Sequence, residues 1–84
     1  EYLYEIDRND THRMLVTMLL KEKMDANSDV ETRVGHFMLR ANDLRTSAER
    51  QAEAGDYAAA VHSLEESTKE IVKAIRGAGI YIPG

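Results

Sequence analysis

Three histidines, His12, His36 and His62, are the side chains of this 84-residue sequence best suited to acid–base or metal chemistry near neutral pH. His62 has the most suggestive surroundings, because Glu65 and Glu66 follow three and four residues later and would share its side of a helix. Such a trio could supply part of a transition-metal shell. A complete shell needs three or four ligands, and di-iron bundles place E-x-x-H on two helices beside two further glutamates. Here the order is H-x-x-E and no second copy accompanies it. His12 stands near Asp10 in an expected first helical turn, and His36 lies between Arg33 and Arg40, where positive charge opposes a metal ion. No metal site is therefore expected.

Other chemistry is equally thin. The sequence has no cysteine, which removes disulfides, thiolate nucleophiles and cysteine zinc sites. Ser28, Ser47, Ser63 and Ser67 sit at a cap or within helical stretches without a G-x-S-x-G context. The glycines follow no strand and form neither a phosphate loop nor a dinucleotide fingerprint. No catalytic residue and no cofactor is expected, and the chain reads as something other than an enzyme. A net charge of −4 disfavours nucleic acid as a partner. The apolar runs Met14–Val16 and Met18–Leu20, split by Thr17, fall far short of the roughly 20 residues of a membrane span.

The elements that would carry any site are helical. Residues 1–9 are mixed in character and read as an extended lead-in, with Asn9 and Asp10 as N-caps of a first helix reaching about Met24. Residues 25–29 read as a polar connector, and Ser28 with Glu31 fits a capping box. A second helix is predicted from Asp29 to about Ala54, its apolar face marked by Val30, Val34, Phe37, Ala41, Leu44 and Ala48. Gly55 ends it and Asp56 caps a third, where Tyr57, Val61, Leu64, Thr68, Ile71 and Ile75 repeat the same spacing up to Gly77. So short a connection forces an antiparallel hairpin. Tyr57 is expected to anchor it from a buried position. The tail, GAGIYIPG, should fold back across a groove between helices, or else serve as a strand-like arm to a second subunit or to the rest of a longer chain. The expected fold is an all-α, three-helix domain over residues 1–84, built on a long antiparallel helical hairpin with a hydrophobic C-terminal tail. Its opening at Glu1 suggests a processed product or part of a larger protein.

The corner at residues 55–68 resembles the hairpin turn of a tetratricopeptide repeat. Gly55, Asp56 and Tyr57 match that family's turn, Ala60, Leu64 and Ser67 its second-helix face, and Ala48 and Leu44 two positions of its first helix. Ser47, Gln51 and Val72 depart from the pattern, and the similarity covers residues 41–72, one repeat length. The resemblance implies a groove side carrying Asn42, Arg45 and Glu49, with Arg45 meeting a carboxylate on a partner.

The first helix is apolar on more than one side, since Leu15, Val16 and Leu19 cannot all face one hairpin. The expectation is a noncatalytic interaction or assembly module that meets a protein partner or forms a homo-oligomer. The expected interface comprises Leu15, Val16, Leu19, Arg45, Ile80, Tyr81 and Ile82. The alternative is a small helical ligand or metal carrier with Tyr57, His62 and the neighbouring glutamates turned inward.

Overall fold

The computed structural model describes residues 1–83; Gly84, the last residue of the expected tail, lies outside the described residues. Three helices run up, down and up: α1 (Tyr2–Ala26), α2 (Ser28–Glu53) and α3 (Tyr57–Gly77). They form a slender bundle of 43 × 21 × 15 Å. The closest packing joins α2 to α3, α1 lies chiefly on α3, and its contact with α2 is the slightest. The all-α hairpin fold is thus as the spacing predicts, and no described helix is long and apolar enough to cross a membrane.

Small side chains account for the tight α2–α3 seam. Ala41, Ala48, Ala60 and Ala74 are all fully buried, so the two backbones approach closely around Leu64, Ile71 and Ile75. Toward the α1–α2 connection, Val16 and Leu20 of α1 join Val34, Ala41, Ile71 and Ile75 in one apolar cluster, edged by Leu15, Phe37 and Met38. Tyr57 lies outside this core. It is 56% exposed and packs edge-to-face with Tyr2, ring centroids 5.6 Å apart, so it links the starts of α1 and α3 and does not anchor the hairpin from within.

Both corners of α3 use the same backbone device. Gly55 takes φ +84°, its N–H donates to the Ala52 carbonyl, and the Asp56 N–H reaches back to Gln51. Gly79 takes φ +92°, with its N–H on Arg76 and the Ile80 N–H on Ile75. Paired bonds of this kind satisfy carbonyls at a helix end and favour glycine at the left-handed residue. Asp56 caps α3 through Ala59 N–H, as its position suggests. Ile80 and Ile82 then fold back against the apolar cluster. Tyr81 points outward under the Arg76 guanidinium, which also donates to the Ile82 carbonyl.

Two expectations about the first third need correction. The extended lead-in is absent, because α1 begins at Tyr2. Its inward positions there are Glu5 and Asn9, both buried, so the face that defines the helix is polar at one end and apolar only from Val16 onward. The five-residue connector is a single residue, Asn27, with φ −147° and ψ 110°. Asn27 replaces the expected Ser28–Glu31 capping box: its Oδ1 accepts from the Asp29 and Val30 N–H groups at 2.9 and 3.3 Å.

Candidate interaction surface

The outward side of α1 carries the densest set of uncovered apolar side chains. Leu3 is 73% exposed, Tyr4 65%, Met14 60% and Met18 68%. At about 3.6 residues per turn these four fall within roughly 100° of arc, opposite the buried Glu5, Asn9, Val16 and Leu20. Leu19, 40% exposed, flanks them. Asp7 and Thr11 separate the Leu3–Tyr4 end from the Met14–Met18 end, and Lys21 follows beyond.

Of the residues expected at an interface, Leu19 and Tyr81 are exposed, while Leu15, Ile80 and Ile82 are half-buried against the chain's own core. Val16 is buried in that core, because its Cβ projects on the Asn9–Leu20 side of α1. Met14 and Met18 take the outward place. A shift of one or two positions along a helix decides which side a residue faces, and three adjacent apolar residues do not reveal which one turns inward.

Arg45 is occupied within the molecule. Its Nη1 donates to Asp10 Oδ1 at 2.7 Å and to Asn9 Oδ1 at 2.9 Å, and its Nε donates to Glu49 at 3.2 Å. Burial opposes the guanidinium charge, but the hydrogen bonds and charges of Asp10, then Glu49, outweigh it and raise the arginine's pKa. Asn42 is bound by Arg13. Asn42 and Arg45, two of the three residues that a repeat groove would offer, thus serve to join α1 to α2, while Glu49 pairs with Arg45 within α2. The hairpin spans residues 28–77 and exceeds a roughly 34-residue repeat.

Beneath this tie lies Asn9, fully buried. Its Nδ2 donates to Ser67 Oγ and to Thr68 Oγ1, each at 3.0 Å, and its Oδ1 accepts from Arg45 and, at 3.4 Å, from Arg13. Ser67 Oγ in turn donates to the Ala41 carbonyl at 2.7 Å. All three helices meet at one amide whose donors and acceptors are all used, which fixes the lengthwise register of α1. Asn9, expected as an N-cap, lies inside α1; the only trace of its role in the sequence is a polar residue seven positions before Val16 on one helical face.

The histidines do not converge. His12 hydrogen-bonds through Nδ1 to the Arg8 carbonyl, His36 is exposed beside Phe37, and His62 is exposed with Glu65. Glu66 pairs with Lys69. The inward-turned arrangement needed by the carrier alternative is therefore not what the fold produces, and no group of three or more potential metal-binding side chains of His, Cys, Asp or Glu occurs among the described residues. An open groove of about 830 Å³ at the bundle end is lined by the carboxylates of Glu1, Glu49 and Glu53, the phenol rings of Tyr2 and Tyr57, and the apolar Leu3 and Ala52. Glu70 is buried on α3 between Arg40 and Lys73, at 2.9 and 3.4 Å. Burial disfavours its carboxylate, but these two cations prevail and hold its pKa below the ordinary glutamate value.

No family of known proteins, no curated protein and no solved structure matches this chain.

Proposed function

We propose that this chain is a noncatalytic helical association module that pairs with a second copy of itself through the outer face of α1. The observation that carries the reading is the exposure of Leu3, Tyr4, Met14 and Met18 on one side of one helix. Two apolar groups on one side of a helix, of this exposure, are removed from water by association.

Charge and spacing favour an antiparallel pair. With a two-fold axis at Thr11, Leu3 of one copy stands opposite Leu19 of the other and Tyr4 opposite Met18, twice over by symmetry. The same register sets Lys21 against Glu1. A parallel pair would instead face Asp7 with Asp7 and Lys21 with Lys21, which is repulsive.

Light scattering across micromolar concentrations tests this. Wild type should approach the dimer mass. Met18→Glu, which inserts a carboxylate into both symmetric contacts, should return it to the monomer mass with helical circular dichroism unchanged. A wild-type monomer throughout, or a Met18→Glu dimer, would refute the proposal.

A further inference from the structure

We infer that α1 can be exchanged between two copies of this chain, with Asn27 as the hinge. Asn27 is the only non-helical residue between Tyr2 and Glu53. Turning its backbone from φ −147°, ψ 110° to helical values would merge α1 and α2 into one rod of about 78 Å, at about 1.5 Å per residue.

The hydrogen bonds do not resist that change. In the closed chain, the start of α2 is served by two bonds to the Asn27 side chain. In the merged helix the Ser28, Asp29 and Val30 N–H groups meet the carbonyls of Met24, Asp25 and Ala26, which the break leaves without those partners. What keeps the chain closed is the docking of α1 on α3 and α2. A second copy offers that dock unchanged.

The register allows it. Asn9 faces Arg45, and Arg13 faces Asn42, across the antiparallel α1–α2 pair. Two merged helices laid antiparallel about a two-fold axis at Asn27 set residue 9 of one against residue 45 of the other. The Asn9 bonds to Ser67 and Thr68, and the Val16 and Leu20 packing, can then re-form between chains. The outer face of α1 takes no part, so this inference stands apart from the proposed pairing.

The chain is free of cysteine, which makes a direct test possible. Chains carrying Arg13→Cys are unfolded and refolded together with chains carrying Asn42→Cys, and oxidised. A disulfide between the two forms fastest where α1 of one copy lies on α2 of another, so its yield above that from random collision reports the exchange. Asn27→Leu, which removes the cap and favours helix, should raise the yield roughly fivefold or more. Ser28→Pro should abolish it: proline suits the first position of α2 and holds Asn27 in its extended conformation. Equal yields from Asn27→Leu and Ser28→Pro, both helical by circular dichroism, would overturn the inference. The mass of uncrosslinked Ser28→Pro separates the two ideas. A Ser28→Pro dimer leaves the outer-face pairing standing whatever the disulfide yield. A Ser28→Pro monomer beside a high Asn27→Leu yield leaves only the exchange.

Discussion

The Asn9 amide should couple the helices by an amount that a double-mutant cycle can resolve. Thr68→Val removes one acceptor at nearly constant volume and leaves an Asn9 N–H buried and unpaired, a loss of about 1–3 kcal/mol. Asn9→Ala deletes two neutral hydrogen bonds at about 1 kcal/mol each and a stronger one from the Arg45 guanidinium. Alanine's better helix propensity returns only about half a kcal/mol, so a net loss of about 3 kcal/mol follows. A chain of this size has about 4–13 kcal/mol of stability in all, so Asn9→Ala should be marginal and best studied at low temperature. Because Thr68 has nothing left to lose once Asn9 is gone, the double variant should be milder than the two losses added, by about 1 kcal/mol or more. Urea unfolding at constant slope gives each value. A coupling within about 0.3 kcal/mol of zero would show that the amide does not act through Thr68, and would refute the reasoning.

Gly55→Val should cost more than the roughly 1–2 kcal/mol of a left-handed residue, because φ is +84° and valine is β-branched. No atom within 4 Å obstructs a Cβ there, so Gly55→Asn should recover much of the loss in the same denaturant titration. Glu70 should contribute stability above the ordinary glutamate pKa and lose it as pH falls through its own lower value. Comparing wild type with Glu70→Gln should therefore show a smaller acid-induced decline in the variant below about pH 4.3; parallel curves would count against the ion-pair assignment.

The hairpin was legible because its two helices repeat apolar residues four and three apart and both end on glycines that adopt positive φ. The start of α1 was not, because its buried face opens with Glu5 and Asn9 and therefore lacks the apolar period by which helices are recognised. Asn27 was obscured by its setting among Asp25, Ser28 and Asp29, any of which suits a loop or a cap. The candidate surface was legible as an excess of apolar residues on the first helix. Which of them faced outward was not: Val16 against Met14 and Met18 depends on the rotation of α1 about its axis. That rotation is set by the amide of Asn9 meeting Ser67 and Thr68, a contact between residues far apart in the chain.

A single cysteine at Thr11 tests the self-pairing most directly. Thr11 is exposed in the middle of the outer face of α1, where the two-fold axis of an antiparallel pair would pass. Under mild oxidation, Thr11→Cys should give a rapid disulfide-linked pair, whereas Asp7→Cys, Lys21→Cys and Leu39→Cys should remain largely uncrosslinked. Thr11→Cys oxidising no faster than Leu39→Cys, which projects from the far side of α2, would contradict pairing through α1.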